Sequence, residues 1–377
     1  MPKTDDESLL WARKYTNNKE CFPYIVITGD IVKQTQMADF DAKNSAFFMP
    51  AGNGVCRLNH YESMQRLVLE DLGFPDVEVY APTAEKAMID MGRVNRRLPL
   101  DSWTSIVASD CIFKAFRQTK PYEINKGETE EVYKRTGKMI YNTMLTKGNI
   151  VNTMKLARRE FDSIKTDRSI IKPKIGIIGE FYLRWHPYSN NNIINMIEEM
   201  GGEVVAPTVA ENMLHFNHVV LNESSRKHRF GEWTNMFVSD KWQHFQENRI
   251  FKPFEDFLEI YPEPSVQELE DIAAPYSNEI IENEISISIG KARWLVEKKG
   301  ISGIINLIPF TCLLGTPIAA MLKTLKEDFP EAAMTTFKFD GAADVNVRTR
   351  LEAFMHQAQQ YADTKAGVLK GNVKKLA

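Results

Sequence analysis

A chain of 377 residues is long for one hydrophobic core and points to two domains, since single domains commonly span roughly 100–200 residues. With 43% hydrophobic and 26% charged residues, the composition is that of a folded globular protein and excludes wholesale disorder. Lys and Arg number 47 against 50 Asp and Glu, so there is no global basic field for nucleic acid; no signal-like segment opens the chain and no long apolar run could span a membrane, and the expectation is a cytoplasmic protein.

In chain order, Glu20 to Val32 reads as a turn entering a helix, and Ala46-Phe47-Phe48-Met49 as a buried strand that stops at Pro50. A Gly-bearing loop follows, then a helix from Tyr61 to Leu72 closed by Gly73, and a strand at Val77–Tyr80. Residues 103–118 and about 128–163 are expected as two long helices, ending in the polar stretch Lys165-Thr166-Asp167-Arg168 that marks the domain junction. The second half restarts the alternation: strand Ile175–Gly179, helix Asn191–Met200, strand Val204–Ala206. A mostly helical, aromatic insertion at about 209–262 precedes a helix at 285–298, a strand at Gly303–Ile308, a helix at Pro317–Asp328, a strand at Thr335–Phe339 and a tail helix at 347–363, with Lys374-Lys375 in a frayed end. This is an α/β protein with an N-terminal domain at 1–168 and a C-terminal domain at 169–377.

Four cysteines in a chain of this size and class are poor disulfide candidates. Cys21, Cys56 and Cys312 each fall in a β-to-α or helix-entry loop, where open α/β sheets gather ligands and helix amino termini stabilise thiolates. Each would equally serve as a small buried hydrophobe. Cys111 lies mid-helix and reads as plain burial. Zinc is disfavoured by the lack of Cys-x-x-Cys and His-x-x-x-His pairs, although chain position does not exclude it. Arg57 beside Cys56 is either a counter-charge or an exposed ion-paired side chain; His60 reads as a helix-surface residue; Glu180 is either a carboxylate at a sheet switch point or a helix cap. Asn190, Asn191 and Asn192 are expected to cap a helix, and the aromatics of 216–257 to pack the insertion.

Glu20-Cys21-Phe22-Pro23 with Thr28-Gly29-Asp30, Phe48-Met49-Pro50 through Cys56-Arg57, and Lys120-Pro121-Tyr122-Glu123 resemble the 2-hydroxyacyl-CoA dehydratase superfamily, most closely its acyl-CoA dehydratase activase-related (CoA protein activase) proteins. Gly176-Ile177-Ile178-Gly179-Glu180, Gly201-Gly202-Glu203-Val204, Pro309-Phe310-Thr311-Cys312 and Asp340-Gly341 continue the likeness in consistent order. The resemblance implies Rossmann-like parallel-sheet domains. It also implies a 4Fe-4S cluster, or a double cubane, as cofactor, with Cys21, Cys56 and Cys312 as metal ligands. It implies an iron-sulfur redox protein that accepts low-potential electrons from an ATP-dependent activase protein. No Walker-type phosphate loop is present in this chain, so another chain would hydrolyse the ATP.

The sequence departs from the family pattern at Arg57-Leu58-Asn59-His60-Tyr61, where Arg-Phe-Gly-Gln-Tyr is frequent, at Leu314, where proline is common, and at Trp185-His186-Pro187. These departures leave the cysteines in place and put the surroundings of the site in question. A catalytic 2-hydroxyacyl-CoA dehydratase subunit acting on an acyl-CoA is the first alternative; a cluster-free or zinc-bound interaction scaffold is the second. A homo- or hetero-dimer is expected, with no nucleic acid and no membrane among the partners.

Overall fold

A computed structural model describes the chain apart from residues 18, 53, 278–283, 342–345 and 374–377. The expected frayed end at Lys374-Lys375 lies outside the described residues. The architecture is α/β, with one small and one larger parallel sheet embedded in helices.

Helix α1, Asp6–Ala12, opens with a capping box between Asp5 and Ser8. Helix α2, Phe22–Thr35, has Cys21 at its amino-terminal cap and Pro23 in its first turn, where a missing N–H costs no helical bond. The two helices touch at Gly29, where any side chain would collide with the Ser8 carbonyl. Strands β1, Ala46–Phe48, and β2, Glu78–Tyr80, pair in parallel, and α3, Tyr61–Asp71, makes the crossover between them. Helices α4, Ala84–Val94, α5, Leu98–Thr119, α6, Glu128–Leu145, and α7, Ile150–Asp162, follow.

The single helix expected over 128–163 is therefore two. Lys147 turns into the left-handed region at φ 54°, and the Asn149 side chain then accepts the N–H groups of Val151 at 3.0 Å and Asn152 at 3.3 Å to start α7. An asparagine cap ends one helix and begins the next without disturbing the apolar periodicity on which the expectation rested.

The larger sheet contains β3, Lys174–Gly179; β4, Glu203–Val205; β5, Gly303–Pro309; and β6, Ala333–Phe339. All pairs are parallel and the spatial order is β4-β3-β5-β6. Every residue of β5 is buried, which is why it reads as the near-continuous apolar run Ile304-Ile305-Asn306-Leu307-Ile308. The helices between and around these strands are α8, Phe181–Trp185; α9, Ile193–Glu199; α10, Val209–Arg226; α11, Phe230–Phe251; α12, Val266–Ala273; α13, Glu284–Lys299; α14, Gly315–Asp328; and α15, Val347–Val373. Helix α9 starts two residues later than expected, because Asn191 and Asn192 both adopt left-handed backbone at φ 52° and 57°.

From β3 the chain crosses to β4 on one side, whereas β5 lies on the other. The carboxyl ends of β3 and β5 therefore frame a topological switch point, the crevice where open α/β sheets bind ligands. Gly179 ends β3 at φ 107°, and a side chain there would run into the Leu307 carbonyl and the Asn306 side chain of β5.

Three apolar cores hold the elements. One joins Cys21 and, from α2, Phe22 and Ile25 with Phe47 of β1, Ile177, Leu307 and Phe337 of the larger sheet and Leu351 and Phe354 of α15. A second packs α5 and α7 against α11 and the turn after it, through Trp103, Cys111, Phe161, Ile250 and Phe254. The third covers the other face of the larger sheet with Ile289 and Leu295 of α13 and Ile318 and Leu322 of α14. The first two draw side chains from both sides of residues 165–168. Polar ties reinforce the second: Trp103 donates its indole N–H to the Gln243 carbonyl at 3.1 Å, and Gln118 both donates to Phe257 O at 2.7 Å and accepts from Glu259 N–H at 2.9 Å. Among the described residues no helix is long and apolar enough to cross a membrane.

Candidate functional site

Each of the three loop cysteines stands where a helix begins. Cys21 caps α2; Cys56 caps a short 3-10 turn, Arg57–His60, and its Sγ accepts the Leu58 N–H at 3.5 Å; the Cys312 Sγ accepts the Gly315 N–H at 3.2 Å where α14 starts. Backbone N–H groups and helix amino termini favour sulfur in its anionic form. Burial works against this. It pushes the Cys21 thiol up to about 12 and Cys312 up to about 11, and raises Cys56 as well, while a hydrogen bond from Tyr61 pulls Cys21 partly back. At neutral pH these sulfurs stay protonated unless a cation or a metal centre compensates their charge.

Arg57 ties the three loops together. Next to Cys56 in sequence, its Nη2 donates to the Thr311 carbonyl at 2.5 Å and to Thr311 Oγ1 at 2.7 Å, beside Cys312, and its Nη1 donates to the Lys19 carbonyl at 3.5 Å, two residues before Cys21. The thiols also sense one another: charge on Cys312 raises Cys21, and charge on Cys56 raises Cys312. Of the two readings of Arg57, the exposed ion pair gives way to hydrogen bonds with two carbonyls and a hydroxyl. Gly341, just after β6, lies against the ring of Phe22 and brings a fourth strand end to the same place.

Glu180 follows β3 at the switch point and acts on all three thiols. Its carboxylate caps α8 by accepting the N–H groups of Tyr182 at 3.0 Å and Leu183 at 2.9 Å, and burial pushes it up to about 7. The helix-cap reading of this residue therefore holds, and its carboxylate stands at the switch point. Tyr61, buried at the start of α3, hydrogen-bonds Cys21, and its phenol is pushed far up by burial and by the thiols. Tyr61 and Thr311 stand in the sequence segments beside the cysteines, but no role was read for either. The only signal for either was adjacency, Thr311 to Cys312 and Tyr61 to the end of the Cys56 turn.

Cys111 is elsewhere: it is wholly buried in α5 among the helical core, and burial, with the neighbouring Asp110 carboxylate, raises its thiol. His60 is exposed at the start of α3. Of the three asparagines, Asn190 caps α9 by accepting the Ile193 N–H at 3.3 Å, whereas Asn191 and Asn192 supply the left-handed turn before it. The expectation for the 216–257 aromatics holds in part: Phe251 and Phe254 are buried in the helical core, Phe254 edge-on to Phe161 of α7 at 6.0 Å between ring centroids, whereas Phe216, Phe230, Phe237 and Phe245 are exposed.

Phe48, Val55, Phe310 and Leu313 are exposed apolar side chains on β1 and on the segments that carry Cys56 and Cys312. Among the described residues, no three His, Cys, Asp or Glu side chains gather closely enough to hold a single metal ion. The thiolates of an iron-sulfur cube each bind a different iron, so they stand further apart than the ligands of one ion. Three sulfurs, two of them with N–H donors, with a guanidinium between their loops, match the donor chemistry of such a group.

Compared with family models, with curated proteins and with solved structures, the chain finds no match.

Proposed function

We propose that this protein is an iron-sulfur redox component of the 2-hydroxyacyl-CoA dehydratase type, with Cys21, Cys56 and Cys312 as the ligands of a 4Fe-4S or double-cubane cluster. On this reading the chain comprises two Rossmann-like α/β units, residues 1–168 and 169–377, docked through shared apolar cores. The observation that carries the proposal is the Arg57 side chain, which joins the loops of cysteines far apart in sequence. When bound, a cluster held by three thiolates exchanges single electrons and keeps one iron open to a further ligand. The chain's own residues prepare for it: Leu58 and Gly315 aim N–H groups at sulfur, Tyr61 holds the Cys21 sulfur, and Arg57 supplies positive charge near the buried thiolates. The apolar side chains about the cysteine segments suit the docking of an ATP-dependent activase, and a dimeric assembly fits the same exposed rim.

Glu180 supports a second reading, a catalytic dehydratase subunit. A carboxyl group pushed up to about 7 can hold or release a proton near neutral pH, and it faces the thiols.

The test is purification without oxygen, with iron, acid-labile sulfide and zinc measured per chain and spectra recorded with dithionite and with an activase plus ATP. About four irons and four sulfides support one cube and about eight irons a double cube, whereas zinc alone, or no metal, overturns the proposal in favour of a scaffold. Turnover of added acyl-CoA compounds separates the catalytic subunit from the relay.

A further inference from the structure

A second place on the molecule is built to receive a ligand. Between α5, α6 and the α8–α9 segment lies a cleft of about 460 Å³, within the ~300–1,000 Å³ usual for small-molecule sites. By contrast, the cavity between β3, β4 and α13 has about 10 Å³ of free space and contains the Lys291–Glu211 ion pair; there is barely room for one water.

The walls of the cleft are aromatic. Phe113 stands at 5.2 Å from Trp185 and 6.3 Å from Tyr133, ring centre to ring centre, and the Arg117 guanidinium lies 5.1 Å from the centre of Phe113. A flat apolar body entering here meets ring faces and edges, where stacking adds to simple burial.

The polar groups are one-sided. Trp185 Nε1, Arg117 Nε and Arg184 Nε are donors with no acceptor among the described residues; all three residues line the cleft, with these atoms themselves closed to solvent. The one acid in the lining, Asp110, already accepts the N–H groups of Val209 at 3.1 Å and Ala210 at 2.8 Å. Charge follows the same sense. Arg117 and Lys120 share the Glu198 carboxylate at 2.7 and 2.8 Å, with Glu130 acting on both from further off, and Arg184 adds a third cation to this wall. Unfilled donors and surplus positive charge repel a cation and ask for an acceptor-rich anion.

We propose that this cleft binds a small aromatic carboxylate, its ring against Phe113 and Trp185 and its carboxylate toward Arg117. The proposal stands whether or not the cysteine loops hold a cluster. Helix α8 runs between the two places, capped by Glu180 at one end and with Trp185 lining the cleft at the other.

The test is calorimetric titration of the full-length protein with phenylacetate, with the saturated acid cyclohexylacetate and with the neutral 2-phenylethanol. Phenylacetate should bind saturably at one site per chain, and 2-phenylethanol about tenfold or more weaker, the scale of a lost charge-assisted hydrogen bond. Cyclohexylacetate should be weaker than phenylacetate, because it lacks the stacking face. Arg117→Gln should cost phenylacetate a similar factor and leave the alcohol unchanged, and Arg117→Lys should restore part of the loss. Trp185→Leu, which leaves the Arg117–Glu198 pair intact, serves if the Arg117 variants fail to fold by circular dichroism, and it should weaken phenylacetate and erase its advantage over cyclohexylacetate. No saturable binding of phenylacetate, equal affinity for acid and alcohol, or a folded variant that binds as the parent does would overturn the proposal.

Discussion

At the scale of single residues, the four cysteines divide by their surroundings. Cys21, Cys56 and Cys312 sit at helix entries around one arginine, whereas Cys111 is wholly buried in the helical core away from them. Serine at any of the first three should therefore deplete iron from anaerobically purified protein, and Cys111→Ala should leave the iron content unchanged; alanine is the sounder control, since a serine hydroxyl at a wholly buried position adds an unsatisfied polar group. Iron lost from the Cys111 variant alone would contradict the ligand assignment. Asp110 offers a separate prediction. Burial pushes its carboxyl up to about 7, so the folded chain holds this proton at pH values where the unfolded chain has released it. The sign follows: stability falls as pH rises from about 4 to about 7, because ionisation is easier in the unfolded state. Urea unfolding of Asp110→Asn at about pH 5 and about pH 8 should show the variant gaining on the parent by a few kcal/mol at the higher pH. A constant difference would mean that Asp110 keeps an ordinary carboxyl. The loop positions of the three cysteines were legible in sequence because strand and helix patterns bracket them. The Tyr61 and Thr311 contacts were not, because a hydrogen bond across the fold leaves no periodic trace in the chain.

At the scale of elements, the alternation of strands and helices came through closely in the second half. There the apolar runs are short and punctuated by glycine, as at Gly179, Gly201 and Gly300, all with positive φ. Where punctuation is polar instead, boundaries were missed: the Asn149 cap divides α6 from α7, and the left-handed pair Asn191-Asn192 delays α9. Helices α1, α4, α8 and α12 escaped notice because each is short, between 5 and 11 residues. The crossing of α1 and α2 depends on Gly29, read from sequence only as part of a family motif. Gly29→Ala should lower unfolding stability by about 1–3 kcal/mol or more, as the added methyl forces the helices apart. A denaturation midpoint unchanged from the parent would show that α1 does not pack on α2 in solution.

At the scale of the whole molecule, the halves are bound by more than a linker. Lys114 of α5 and Lys291 of α13 both pair with Glu263, and Lys291 also reaches Glu211 at 3.3 Å. Lys291 is nearly buried, so removing it strands the Glu211 carboxylate, while Glu263 keeps Lys114, rather than merely deleting a contact. Lys291→Met should cost about 3–5 kcal/mol by thermal or urea unfolding; a cost below about 1 kcal/mol would place the pair in the class of exposed, weakly contributing ion pairs. Sequence order could divide the chain at residues 165–168, but it could not reveal that α10 and α11 fold back on α5 and α7 to complete a shared core. That packing is a property of surface shapes distant along the chain, not of any local pattern.

The Arg57 guanidinium reaches main-chain oxygen in two remote segments, one of them 254 positions away. Main-chain oxygens cannot be exchanged by mutation, so the clasp tolerates drift in nearly every residue around it except the arginine and the cysteines themselves. Over evolutionary time the periphery of such a site is free to be rewritten, and with it the molecule it serves, while the same three sulfurs are kept in register.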